Sequence, residues 1–215
     1  MSLIISESQS TPRTPIPAGM YLARCYGLIQ VGRYTEYSDF LKKDVIENKI
    51  RITWELPALT KEFKEGEGER PYSISKEFTM SLNEKGNLRP FLNSWRGRSF
   101  TEDELKGFDI LTIVGAPCML NIIHKKSKDG SKTYEEIATI TPLMKGTEMP
   151  PAFNEKQILT YSGWNQSLFD SLPDFIKDKM KKSDEYLAMV APSHVESAQS
   201  PVNAESSDKD EALPF

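Results

Sequence analysis

Two short runs limit the folds open to this chain more than anything else in it. In residues 49–56, Ile50, Ile52, Trp54 and Leu56 alternate with Arg51, Thr53 and Glu55, a period of two that puts apolar side chains on one face of a strand and polar ones on the other. In residues 72–80, Ile74, Phe78 and Met80 share a face with Tyr72 and Lys76, while Ser73, Ser75, Glu77 and Thr79 take the opposite one. Both runs are rich in aromatic and β-forming residues, which predicts two strands. The charged, Gly-containing stretch 60–70 between them predicts an antiparallel pair. Such a pair presents cations, hydroxyls and rings together, which suits a solvated, negatively charged ligand with stackable rings, namely a single-stranded nucleic acid.

The remaining elements arrange themselves around that pair. Residues 20–31 predict a long first strand whose Gly27 and Gly32 let it bend sharply. Residues 32–48, with Arg33, Tyr34, Tyr37, Phe40, Lys42 and Lys43, predict a loop or hairpin insertion that interleaves rings with bases. Asn83 is a candidate N-cap for a helix carrying Leu88, Phe91, Leu92 and Trp95 at helical spacing and ending at Gly97. Thr101 and Glu104 predict a capping box for a second short helix. Residues 116–124 and 134–142 predict a hairpin around Asp129-Gly130, with a basic tip of Lys125, Lys126, Lys128 and Lys132. Three strands, a helical segment and two strands is the order of the OB-fold, a five-stranded, partly open barrel (β-β-β-α-β-β).

The Ser-, Thr- and Pro-rich residues 1–17 predict a flexible arm, and residues 18–145 the barrel domain. Residues 146–190 predict a helical extension, with one helix over 164–180 and a shorter one capped by Ser183. Residues 191–215 predict a disordered acidic tail.

Charge is informative by its distribution. The chain carries a net charge of -4, and residues 192–215 hold five carboxylates against Lys209 alone, 1 - 5 = -4. Residues 18–145 hold 20 Lys and Arg against 18 Asp and Glu, so a basic groove requires the acids to lie on other faces. Cys25 and Cys118 sit in apolar strand-like runs and predict two buried free thiols in a reducing compartment. With two His and no paired cysteine motif, neither a metal site nor a cofactor is predicted. The acids of residues 62–69 lie on a loop without the rigid support a catalytic site needs, and nucleophile-elbow, Walker and zinc-helix motifs are absent, so no catalytic residue is predicted. No apolar run reaches the ~18 residues of a membrane span, which predicts a soluble intracellular protein with no membrane partner.

Two resemblances sharpen this reading. Trp54-Glu55-Leu56-Pro57, Trp95-Arg96-Gly97-Arg98-Ser99-Phe100, Gly107-Phe108-Asp109 and the hairpin ending Thr141-Pro142 resemble the phage-encoded OB-fold single-stranded DNA-binding proteins over residues 17–145. The tip 208–215 is similar to the acidic tip of bacterial single-stranded DNA-binding proteins, departing from it at Lys209 and Ala212. The first resemblance implies single-strand binding without sequence preference in phage DNA replication, recombination or repair, in the cytoplasm of an infected bacterial host. The second implies recruitment of replication or repair proteins through Asp208, Asp210, Glu211, Leu213, Pro214 and Phe215.

The candidate strand-binding residues are Arg24, Lys49, Arg51, Lys76, Lys125 and Lys126 for phosphates, and Tyr34, Tyr37, Tyr72, Phe78 and Tyr134 for bases. Core packing is favoured for Trp54, in phase with its apolar neighbours, and for Trp95. RNA fits such a groove as DNA does, a homo-oligomer is compatible with it, and the competing reading is an OB-type adaptor that binds only protein.

Overall fold

The computed structural model describes residues 14–127 and 129–191. The arm over residues 1–13, Lys128 and the tail over residues 192–215 lie outside them, and so do all six tip residues. Six strands form one sheet. β1 (Gly19–Ser38) pairs antiparallel with β2 (Lys43–Glu62), and β2 with β3 (Glu69–Thr79). The first half of β1 pairs with β4 (Pro117–Lys126), which pairs with β5 (Thr133–Thr141). The order is β3-β2-β1-β4-β5. A sixth strand, β6 (Gln157–Leu159), runs parallel to β1 at Gly27 to Ile29. Sequence reading expected five strands; a run of three residues is too short to show a period.

The predicted pairing of the two runs and their predicted faces are the observed ones. Ile50 faces Phe78, Ile52 faces Lys76, Trp54 faces Ile74 and Leu56 faces Tyr72, while Arg51 pairs with Glu77 and Thr53 with Ser75 on the other face. The first set is turned into the main core with Ala23, Cys25, Leu28, Leu120, Ile122, Ile137 and Ile140. α1 (Leu88–Arg96) closes the core from below. Its Phe91 and Trp95 lie 5.8 and 5.7 Å from the fully buried Trp54. The backbone ladder does not close, since β3 and β5 are not hydrogen-bonded neighbours. A side chain spans the seam instead: Lys76 Nζ donates to the carbonyl of Ile137 at 2.9 Å. The two outer strands of the order are thus within one lysine's reach.

Several boundaries differ from expectation for local reasons. The helix over Leu88–Arg96 is capped at Asn87, four residues after the expected cap, because Asn83 turns on itself. Its Oδ1 accepts the Lys85 N–H (3.0 Å) and its carbonyl the Gly86 N–H (2.9 Å), local bonds that compete with a helix start. Thr101 and Glu104 do form the capping box of α2 (Glu102–Lys106). The end of the expected arm is anchored: Ile16 is fully buried in the main core, its N–H donating to Glu135 (2.9 Å) and its carbonyl accepting from His124 Nε2 (2.7 Å). The insertion over residues 32–48 is a continuation of β1 and β2, a two-stranded ribbon that exposes Tyr37, Phe40, Leu41 and Ile46.

Beyond β5 the chain returns over the outer face of β1. Pro173 cannot donate a backbone N–H and keeps the residue before it extended. It therefore divides the single helix expected over 164–180 into α3 (Gln166–Ser171) and α4 (Asp174–Lys181), followed by α5 (Asp184–Val190). Leu159, Phe169, Leu172, Ile176 and Met180 pack there against Ile29, Val31 and Tyr34 as a second core. Irregular pairing between Cys25 and Gly27 and between Gln30 and Gly32 marks the two bends the glycines predicted. Gly32 has φ +99° and lies where an added Cβ would meet Ser183 Cβ at 2.7 Å and Glu185 Oε2 at 2.8 Å. Gly32→Ala is expected to cost at least about 2 kcal/mol through backbone strain and overlap. It should lower the melting temperature and open the segment around residues 183–185 to limited proteolysis before the rest of the chain.

Candidate nucleic-acid interface

The outward face of β2 and β3 forms the floor of a groove of about 510 Å³ lined by Arg51, Phe63, Lys64, Glu67, Arg70, Pro71, Tyr72, Ser73, Ser75 and Asn154. Strand alternation positions the floor: Arg51, Ser73 and Ser75 point outward because Ile50, Ile52, Tyr72 and Ile74 point inward. Thr53 and Ser75 share a hydroxyl hydrogen bond of 2.9 Å, and Tyr26 donates to Ser73 Oγ at 3.2 Å. The turn between β2 and β3 supplies the wall. Phe63 is half exposed and meets Tyr72 edge-on, with ring centroids 5.1 Å apart. Glu67 pairs loosely with Lys64 (3.3 Å) and Arg70 (3.7 Å). Three cations against one carboxylate therefore line the groove. Arg51 also meets Glu77 at 3.3 Å, and Glu77 takes Lys179 of α4 at 2.8 Å. Burial pulls the Arg51 guanidinium below its ordinary pKa, and Glu77 opposes that shift.

Of the residues predicted from sequence, the fold brings Arg51 and Tyr72 to this groove. Tyr72 is itself mostly buried, so the accessible ring is Phe63. Others are placed differently. Arg24 lies against the buried Glu55 (3.3 Å) and donates to the Pro150 carbonyl (2.5 Å), which makes it a clamp rather than a phosphate contact. Tyr34 was expected in an exposed loop; because β1 continues through Gly32, its ring falls in the second core. Burial raises its phenol pKa. Phe78 is buried beside Phe91, 4.6 Å away. Lys76 points inward into the β3–β5 seam as its phase indicated. Its ammonium lies 5.9 and 5.8 Å from the rings of Phe78 and Phe91, and desolvation lowers its pKa while Glu136 counters.

Lys49 is engaged by Glu47 (2.7 Å) and Thr79 (3.0 Å), and Lys125 by Glu136 (2.6 Å), whose hydrogen bond raises the Lys125 pKa. Tyr37, Lys126 and Tyr134 are exposed, Tyr37 on the β1–β2 ribbon and the other two on the β4–β5 hairpin. Sequence reading missed Phe63, Lys64 and Arg70. The signal was present, a ring between Lys61 and Lys64, but the four glutamates of residues 62–69 obscured it.

A second groove, of about 440 Å³, lies near Trp95, Arg96, Arg98 and Phe108. Its arginines are committed to the fold. The Arg96 guanidinium stacks 4.3 Å from the Phe100 ring and 5.2 Å from Phe108, and it shares Glu104 with Arg98, which binds both carboxylate oxygens at 2.7 and 3.0 Å. The Trp95-to-Phe100 motif is thus a structural staple. Both cysteines are buried free thiols, and burial pushes the Cys25 thiol up to about 12. No helix among the described residues is long and apolar enough to cross a membrane. No protein-family model, curated protein or solved structure matches the chain.

The hydrogen bond from Arg98, with those from Thr101 and Arg96, holds Glu104 at about 2, well below the ordinary 4.5. A depressed carboxyl pKa contributes stability above the ordinary value and loses it as pH falls toward the folded value. Glu104→Gln should therefore melt below the parent at neutral pH, and the difference should shrink as pH drops from about 4.5 to about 2. Thermal melts at a series of pH values check this.

Proposed function

We propose that this chain binds single-stranded nucleic acid without sequence preference and without catalysis, along the outward face of β2 and β3. The observation that carries the reading is the groove in which Arg51, Lys64 and Arg70 surround a hydroxyl-lined floor and the half-exposed ring of Phe63. Cations that follow a phosphate chain, combined with rings that accept any base face, are what such binding requires. Five antiparallel strands around one core, with an unpaired seam between β3 and β5, support a partly open OB-type barrel as the scaffold. The sequence resemblance supports a role in phage DNA replication, recombination or repair in the host cytoplasm, with Asp208, Asp210, Glu211, Leu213, Pro214 and Phe215 as the partner-binding tip.

One observation favours the adaptor reading. The β1–β2 ribbon exposes Tyr37, Phe40, Leu41 and Ile46, an apolar surface of the kind proteins use to dock. Titrating labelled oligothymidine at two salt concentrations decides between the readings. Single-strand binding predicts an affinity that falls steeply with salt, and Lys64→Ala and Arg70→Ala should each weaken it and flatten the log–log slope by about 0.7. Glu77→Gln, which releases Arg51 and Lys179, should tighten binding by about 2- to 5-fold. No binding at low salt leaves the adaptor standing.

A further inference from the structure

Four phenylalanines are exposed among the described residues: Phe40 (91%), Phe63 (49%), Phe153 (53%) and Phe175 (54%). Exposure of a large ring is unfavourable, so their placement is informative. Phe40 is at the tip of the β1–β2 ribbon, and of the other three, which come from three separate segments, one lines the groove and two neighbour residues that line it. Phe63 lines it. Phe175, on α4, lies with its ring centroid 5.5 Å from the guanidinium carbon of Arg51, which also lines it. Phe153 immediately precedes Asn154, another lining residue.

The position of Phe153 is enforced. Glu55 is fully buried on β2, and a carboxylate there must be paired and hydrogen-bonded. It accepts from Arg24 (3.3 Å), from the backbone N–H of Phe153 (3.4 Å) and Asn154 (2.9 Å), and from Asn154 Nδ2 (2.8 Å). Arg24 in turn holds the Pro150 carbonyl at 2.5 Å. This latch ties residues 150–154 down beside the sheet, so Phe153 is exposed on a fixed backbone. Phe175 is fixed by the packing of α4, whose Ile176 and Met180 are fully buried.

From this juxtaposition we infer that the segment beyond β5 is part of the ligand site: Phe153 and Phe175 join Phe63 in a three-ring track that stacks unpaired bases while Arg51, Lys64 and Arg70 take the phosphates. The inference rests on the single-strand reading above and adds to it which face of the C-terminal segment touches the strand. Rings alone would suit an apolar peptide equally well. Three cations against one acid, interleaved with the rings over a floor of hydroxyls, complement a chain that alternates phosphates with flat heterocycles. Such a track selects unpaired strands, because a duplex offers it no free base faces.

The test uses the full chain, with Phe153→Leu and Phe175→Leu, which keep apolar bulk but remove the ring, and Phe40→Leu for comparison. The probes are labelled oligothymidine and an abasic strand of equal length. Each of the first two variants should bind oligothymidine about 5- to 100-fold more weakly at unchanged melting temperature. On the abasic strand they should match the parent. Phe175→Trp should retain affinity, and its added fluorescence should be quenched on binding oligothymidine. If the parent binds oligothymidine and both leucine variants bind it equally well, the track is overturned while single-strand binding stands. Equal losses on the abasic and intact strands would likewise overturn it, since the rings would then serve the fold. A parent that binds neither strand at low salt removes the underlying reading as well.

Discussion

The structure depends on burying β1 on both faces. Ala23, Cys25 and Leu28 turn into the main core, while Ile29, Val31 and Tyr34 turn the other way into the second. A strand between two apolar layers loses water from both sides, and each buried aliphatic side chain contributes roughly 1.5–3 kcal/mol. The consequence is positional. β1 cannot offer its outward face to a ligand, because β6, α3 and α4 occupy it. The neighbouring strip of β2 and β3 remains open, and there the outward residues are Arg51, Thr53, Ser73 and Ser75.

The same constraint explains which parts of the molecule were legible beforehand. A period of two in 49–56 and 72–80 reports one dry face, and the pairing of β2 with β3 and the facing of their residues followed from it, including the inward Lys76. That lysine needed no bulge to turn it outward, since the Ile137 carbonyl across the open seam receives its ammonium. Local chemistry was equally readable at Thr101 and Glu104. Alternation cannot say whether an outward face is later covered. Tyr34 looked free because residues 32–48 read as a loop or hairpin insertion, yet residues more than 120 positions later pack over it.

The candidate site was harder to read because it is assembled from three separate stretches of chain. Arg51 and the two serines lie in the strands that patterning found, Phe63 and Lys64 in a turn dominated by glutamate with Arg70 just past it at the start of β3, and Asn154 in a segment with no sequence link to either, as is Phe175 beside Arg51. Charge counting could not locate the groove for a related reason. Lys49 and Lys125 are close-paired with carboxylates, Arg24 is spent on a buried one, and Arg96 and Arg98 share Glu104. The groove gathers Arg51, Lys64 and Arg70 around Glu67, with Glu77 beside Arg51, while these other cations are held by carboxylates away from it.

Glu55 connects these themes. A carboxylate removed from water is costly, and an apolar residue of similar size would often be at least as stable there. What an apolar residue could not do is hold the backbone of residues 153 and 154 in one register against the sheet. The side chain of Glu55 does so with three N–H donors from that segment, while Arg24 balances its charge and takes the Pro150 carbonyl. Hydrophobic packing in the second core places α4 over β1 without specifying how the preceding chain lies. The directional bonds to Glu55 supply that missing specification, and they do so at the rim of the groove. The alternation that put Trp54 and Leu56 into the core left Glu55 as the outward residue between them. One strand therefore supplies the core's largest fully buried side chain and the anchor for the segment that borders the site.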